Sequence, residues 1–240
     1  MGKPRSGLRG PVNVEGGYAW AESEQPRVCR RTWQGVRRSL APLPHIGLPG
    51  LASWSQVESR HLRQILDSCR WYFLRNPYDR WFKRLDQVIA GSGASYYVSN
   101  GACHLDLIPY ATACKWTELS PQQRSSLIKV SGDTLGMLLR NSPVRLLVLN
   151  GRSVVELFEE VSRARLQRVI RREWNLPRKS GTPVIGMAYM GSVEAISDID
   201  LGYRLCVIGY NHNIQSSYGV TAEAIAAIRD WIAEGSREAM

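Results

Sequence analysis

Short apolar runs alternate along the chain with segments whose apolar residues recur at helical spacing. Four runs have strand character, at 105–108, 144–149, 184–189 and 203–208. Helical spacing predicts helices at 55–67, 79–90, about 120–139, from 153 onward and from 221 onward. The segment 69–74 has the aromatic content of a strand, although the helix before it could equally continue through it. Strands that alternate with helices predict an α/β fold, a three-layer α/β/α sandwich around a mostly parallel central sheet.

The run at 105–108 carries polar side chains that an ordinary buried strand lacks. His104 and Asp106 lie within it, and Pro109 and Tyr110 follow. Proline ends the hydrogen-bond ladder, so we expect these groups to emerge near a strand end, where ligands bind in open α/β sheets. The alternative is that Asp106 caps a turn and His104 is a satisfied interior imidazole.

Three further segments place polar groups after a predicted element. They are Asn76-Pro77-Tyr78, Asn150-Gly151 and the polar loop 210–217. Together they offer amides, hydroxyls, imidazoles and aromatic rings, which suits recognition of a planar heterocycle by stacking and edge hydrogen bonds. Asn76 could instead be only a helix cap.

Composition narrows the choice of partner. Lysine and arginine number 31 against 21 aspartates and glutamates, a formal net charge of +10, which favours a polyanion such as nucleic acid or an acidic membrane surface. No apolar run reaches transmembrane length and no secretory signal is evident, so we expect a cytoplasmic protein. The five cysteines form no C-x-x-C pair, which predicts free thiols; we expect no metal and no cofactor.

Two basic segments are candidates for contact with phosphates. Residues 1–50, rich in glycine, proline, arginine and tryptophan, are predicted to form a nucleic-acid arm or a solvated extension ahead of a domain at 51–240. A degenerate first strand within 8–20 remains an alternative. The helix from 153 is predicted to continue into a phosphate-tracking or merely solvated basic face that includes Arg163, Arg168, Arg171 and Arg172.

The order of these segments resembles the uracil-DNA glycosylase superfamily. The segment 75–78 is similar to the superfamily's first motif, 104–109 occupies the place of the base-reading strand, and 212–217 occupies that of the last loop. The resemblance covers about residues 70–235 and implies a monofunctional DNA glycosylase that acts on double-stranded DNA. The third motif lacks the proline of the family pattern.

The resemblance also implies roles for individual residues. Asn76 or Asp106 would position the attacking water, and His212 and Asn213 would donate to the departing base, with either one in the place of the family histidine. The other polar and aromatic residues of these loops would line the base pocket: Tyr78, His104, Tyr110, Asn150, Gln215 and Ser216.

Asp106 stands where the family would be expected to have an amide that reads uracil. A carboxylate accepts well from the exocyclic amino group of cytosine, so a cytosine-type base is expected instead. The chain is also similar in size and character to phage-defence glycosylases of this superfamily, which implies that the base is α-glucosyl-hydroxymethylcytosine in phage DNA. The alternatives are a uracil-DNA glycosylase of base-excision repair, a non-catalytic nucleic-acid-binding protein, and an enzyme that acts on free nucleosides.

Overall fold

The computed structural model describes residues 12–15, 58–75, 79–97, 101–108, 116–140, 142–178, 181–214 and 219–239. Within these ranges, no helix has both the length and the apolar character needed to cross a membrane. Five of the predicted site residues lie outside the described residues: Asn76, Tyr78, Tyr110, Gln215 and Ser216.

The described strands form one six-stranded sheet in the order β2-β1-β3-β6-β5-β4. Strands β2, β1, β3 and β6 are parallel neighbours, whereas β5 runs antiparallel to both β6 and β4. The α/β class is confirmed, but the sheet is mixed. The strands are β1 (Val12–Glu15), β2 (Cys103–Asp106), β3 (Leu146–Asn150), β4 (Gln167–Ile170), β5 (Met187–Ile196) and β6 (Ile199–Tyr210).

The antiparallel part of the sheet comes from a tight hairpin. Ile196 pairs with Ile199, so only Ser197 and Asp198 connect β5 to β6. A two-residue connection can join only antiparallel strands, because a parallel crossover needs a dozen or more residues. The connection between the two predicted strands is therefore a hairpin turn with strand on both sides.

Strand β1 belongs to the parallel part of the sheet. It pairs with β2 on one side and with β3 on the other. The prediction of little regular structure before residue 50 is therefore wrong at Val12–Glu15, and the alternative of a first strand within 8–20 is confirmed. The boundary proposed at residue 50 separates this strand from the sheet that it helps to form.

Six α-helices within the described ranges connect or flank the strands. The segment 69–74 is helical except for a turn at Trp71, so the alternative of a helix holds there in place of a strand. Near residue 163 the predicted helix ends, and the basic stretch after it contains the edge strand β4. The helices are α1 (Ser59–Arg70), α2 (Tyr72–Arg75), α3 (Asp79–Ile89), α4 (Pro121–Arg140), α5 (Arg152–Ser162) and α6 (Ala222–Ala239).

Helix α5 ends at its left-handed neighbour. Arg163 has a φ of 56°, a conformation that terminates helices. The buried carboxylate of Glu159 then accepts hydrogen bonds from the Leu166 backbone N–H at 2.8 Å and from Arg168 at 2.7 Å. These bonds turn the chain into β4, which is why the arginines do not continue the helix.

Strand β3 divides the core into two clusters. Leu147 and Leu149 pack in one cluster with α4 and α5. Leu146 and Val148 pack in the other with α3 and α6. Because successive side chains of a strand point to opposite faces, the two clusters lie on opposite faces of the sheet.

Helix α6 begins at a side-chain cap, as the sequence predicts. The hydroxyl of Thr221 accepts a hydrogen bond from the Ala224 backbone N–H at 3.2 Å. We expect Thr221→Ala to lower the free energy of unfolding by about 1 kcal/mol, measured by urea titration. Thr221→Ser keeps the acceptor and should lose much less. Equal losses in the two variants would show that the cap does not stabilise the helix.

Candidate active site

Four adjacent strands end at nearly the same level on one edge of the sheet. Asp106 of β2 is in register with Glu15 of β1, and Asn150 of β3 is in register with Tyr210 of β6. The β1–β3 register pairs residue 14 with residue 149, which puts Glu15 and Asn150 level as well. The carboxyl ends of the parallel strands therefore form a row, as expected for a ligand-binding edge.

Asp106 and Asn150 belong to the same face of this edge. Leu105 packs with the cluster on the α4 and α5 side, so His104 and Asp106 face the opposite side. Leu146 and Val148 face that same side, and Asn150, two residues after Val148 on β3, faces it as well. The two strands are separated by β1 alone, which puts the two backbones roughly 10 Å apart.

The side chains of His104 and Asp106 are close but not hydrogen-bonded to each other. Nε2 of His104 lies 3.7 Å from Oδ1 of Asp106, and their side chains are 9% and 24% exposed. The edges of Trp81 and Phe82 surround the imidazole, with ring centroids at 5.4 and 5.1 Å. Both imidazole nitrogens and Asp106 Oδ1 are buried without a hydrogen-bond partner within the described part of the chain. His104 therefore differs from the alternative of an interior imidazole with satisfied hydrogen bonds. Its two ring nitrogens and Asp106 Oδ1 are polar atoms that could hydrogen-bond to a ligand.

The loop after β6 is tied to the end of β3. The Gly151 N–H donates to the Tyr210 carbonyl at 3.0 Å, and the Arg152 N–H donates to the Asn211 carbonyl at 3.2 Å. A Cβ added to Gly151 would lie 3.6 Å from the Cβ of Asn213. The structure thus brings two of the predicted site segments together.

Asn150 is an anchor for this loop. It is fully buried, and its Oδ1 accepts a hydrogen bond from the Ile214 N–H at 3.5 Å. Asn150, which was predicted to line the base pocket, therefore fixes the backbone of Ile214, the residue after Asn213.

His212 and Asn213, which the sequence left as alternatives, differ in their surroundings. The His212 side chain is buried, and its Nε2 lies 2.6 Å from the carbonyl oxygen of Trp174. A carbonyl only accepts, so Nε2 carries the proton in this contact. That proton is committed to Trp174, so His212 Nε2 does not donate to a ligand in this arrangement, whereas the Asn213 side chain is half-buried next to the row of strand ends.

His212 should make stability depend on pH. Burial lowers its pKa, and the hydrogen bond to the Trp174 carbonyl opposes that shift only in part. Because the folded pKa lies below the ordinary value near 6.5, the unfolded chain takes up a proton first as the pH falls. The stabilisation is complete above that value and decreases as the pH falls through it toward the folded pKa.

We expect the free energy of unfolding to fall between about pH 8 and about pH 5 with a contribution from His212. His212→Gln can still donate to Trp174 but does not titrate, so its stability should decrease less steeply over the same range. Urea titrations at several pH values measure both slopes. Equal slopes would mean that the His212 pKa is the same in the folded and unfolded chains.

Two of the four predicted phosphate-contacting arginines form ion pairs within the chain. Arg163 Nη1 lies 3.0 Å from Asp198 Oδ1, and Arg168 Nη2 lies 2.7 Å from the buried Glu159 carboxylate. Arg168 is held by a buried carboxylate, whereas both side chains of the Arg163–Asp198 pair are exposed.

The other two arginines lie at the start of the short 3₁₀ turn Arg172–Trp174: Arg171 precedes it and Arg172 is its first residue. Arg171 lies 3.8 Å from the Glu173 carboxylate and 6.0 Å from the Trp174 ring. Arg172 is exposed. The phosphate-tracking role of this face stays a prediction, weakened by the carboxylates beside three of its members.

Helices precede and follow the first predicted motif, Asn76-Pro77-Tyr78, in the chain. Asn76 follows helix α2 and precedes helix α3, so it does not follow a strand. The central position in the row belongs instead to Glu15, which the sequence interpretation did not select. The available signal was the alternation Val12-Asn13-Val14-Glu15 ahead of Gly16-Gly17, although it spans only four residues.

The described residues contain no group of three or more histidine, cysteine, aspartate or glutamate side chains suited to a metal ion.

No family model, no curated protein and no solved structure matches this chain.

Proposed function

We propose that this protein is a DNA glycosylase that removes a modified cytosine, α-glucosyl-hydroxymethylcytosine, from phage DNA and so acts in antiviral defence. The observation that carries the proposal is the row of strand ends, with the Asp106 carboxylate in register with Glu15. An acidic residue such as Asp106 at the ligand-binding edge of a basic α/β protein suits a reaction in which positive charge develops on a sugar.

The proposed fold is the three-layer α/β/α arrangement of the uracil-DNA glycosylase superfamily, extended by the β5–β6 hairpin and β4. The proposed partner is double-stranded DNA, from which the nucleotide is flipped out of the stack. Unstacking costs a few kcal/mol, which contacts to phosphates must offset.

The proposed reaction is hydrolysis of the N-glycosidic bond. As that bond breaks, its electron pair leaves with the base, and the sugar develops oxocarbenium character. The Asp106 carboxylate stabilises that charge and accepts a proton from the water whose oxygen bonds to the anomeric carbon. An abasic site and the free base are the products.

The departing base needs hydrogen-bond donors, since negative charge accumulates on it. Asn213 is the proposed donor because its loop is fixed to β3 through Asn150 and Gly151. Preorganised donors of this kind stabilise developing charge more than mobile ones do.

Incubation of the protein with matched duplexes tests the proposal. The duplexes carry cytosine, uracil or α-glucosyl-hydroxymethylcytosine at one position, and alkaline cleavage reports abasic sites. We expect cleavage only at the glucosylated base. Cleavage at uracil would favour base-excision repair, and DNA binding without abasic sites would favour a nucleic-acid-binding protein.

A further inference from the structure

A polar cavity of about 420 Å³ lies between α3 and α6. The cavity is separate from the row of strand ends, but it borders the loop after β6, which carries Asn213. Nη1 of Arg84 lies 3.4 Å from the carbonyl oxygen of Ile214, the residue whose N–H is held by Asn150. The cavity is lined by Arg84, Gln87, Val220, Ala222, Ile225, Ala226 and Arg229.

The two arginines of this cavity have little internal compensation. Arg84 has no carboxylate partner among the described residues. Within the part of the chain that the structure describes, Arg229 pairs only with its neighbour Asp230, at 3.2 Å, and both side chains are about half exposed or more. An exposed pair of this kind contributes little and does not hold the guanidinium away from a ligand.

The arginines near β4 differ in this respect. There the Glu159 carboxylate, 1% exposed, receives both Arg165 and Arg168. Those cations contribute to the fold. Among the described residues, the Arg84 guanidinium contacts only the Ile214 carbonyl oxygen, and Gln87 adds an exposed amide. Guanidinium and amide donors around a cavity are the groups that bind phosphate oxygens in proteins.

We propose that the cavity between α3 and α6 binds a backbone phosphate of nucleic acid. Through Ile214, the contact would fix the DNA strand relative to the loop that carries Asn213. The inference rests on the proposed DNA partner but not on the proposed chemistry, so it holds or fails without base release.

Fluorescence anisotropy with a short, unmodified, labelled duplex tests the inference. The variant pair Arg84→Gln and Arg229→Gln is compared with the control pair Arg204→Gln and Arg237→Gln. Both pairs remove two positive charges. Arg204 is exposed on β6 and donates a hydrogen bond to the Ser192 hydroxyl at 2.9 Å. Arg237 lies on the same helix as Arg229, about 12 Å along it, and among the described residues it contacts only a backbone carbonyl of its own helix.

We expect the cavity pair to weaken duplex binding at least about tenfold at low salt and to reduce the slope of log affinity against log salt by about 2. The control pair should leave both quantities near those of the unchanged protein. Equal losses in the two pairs, or none in the cavity pair, would overturn the proposal.

A second arm separates nucleic acid from free phosphate. The melting temperature is measured with and without inorganic phosphate for the unchanged protein and the cavity pair. Stabilisation by phosphate that is lost in the cavity pair, together with unchanged duplex affinity, would overturn the nucleic-acid assignment. Because the duplex carries no excisable base, a negative result here differs from a failure of base release.

Discussion

Asp106→Asn should slow release of the modified base by about a hundred- to ten-thousand-fold. The amide has nearly the shape of the carboxylate, but it can neither accept the proton of the attacking water nor stabilise a cationic sugar. Single-turnover rates on the glucosylated duplex measure the effect.

A matched substitution separates this role from a general loss of negative charge. Asp133 lies exposed on α4, which packs on the opposite face of the sheet from Asp106. Asp133→Asn should leave the single-turnover rate unchanged. If Asp106→Asn also released the base at the original rate, Asp106 would have no essential part in the reaction.

Gly151→Ala should lower both stability and activity. Gly151 has φ 99° and ψ 152°, a region that only glycine adopts readily, so alanine costs about 1–3 kcal/mol. Relaxation of that strain moves the Gly151 N–H, which donates to Tyr210 and fixes the loop that carries Asn213. Base release should therefore fall even where the variant is fully folded.

Gly202→Ala is the control for the strain alone. Gly202 also has a positive φ, 73°, and an added Cβ would meet no atom within 4 Å. It lies near the β5–β6 turn, at the end of β6 away from the row of strand ends. This variant should lose stability and keep its rate of base release. If folded Gly151→Ala released the base at the same rate as the unchanged protein, the position of this loop would have no effect on the reaction.

Elements with strong periodicity could be predicted closely from the sequence. Helices α3, α4 and α6 and strand β3 lie within a few residues of their predicted positions, because their apolar residues repeat over several turns or form an unbroken run. Strand β1 offers four residues in a segment rich in glycine, proline and arginine, too short for the pattern to stand out. Strand β4 contains Arg168, and the basic sequence around it is equally typical of a solvent-exposed helix.

The direction of β5 depended on turn chemistry. Ser197 takes a positive φ of 54° in the two-residue turn, a conformation typical of hairpins. Ser197-Asp198 does not mark that turn as clearly as Asn-Gly would, so the sequence predicted only a mostly parallel sheet and gave no sign that β5 runs antiparallel. A local backbone conformation thus decided a global feature of the sheet.

The candidate site was predictable where it follows the ends of clear strands. Asp106 and Asn150 follow from that rule, since parallel strands end at one edge. The contact between His212 and the Trp174 carbonyl joins residues 38 positions apart and depends on how the 3₁₀ turn packs. Sequence spacing carries no signal for it, which is why His212 and Asn213 could not be distinguished.

The position of Asp106 relative to the anomeric carbon of the flipped nucleotide tests the central claim most directly. It is measured in a crystal structure of the unchanged protein bound to a duplex with a non-hydrolysable analogue of the glucosylated nucleotide. The account predicts an Asp106 carboxylate oxygen within about 2.7–3.2 Å of a water molecule that faces the anomeric carbon. A base bound away from the row of strand ends, or an Asp106 side chain turned from it, would contradict the account.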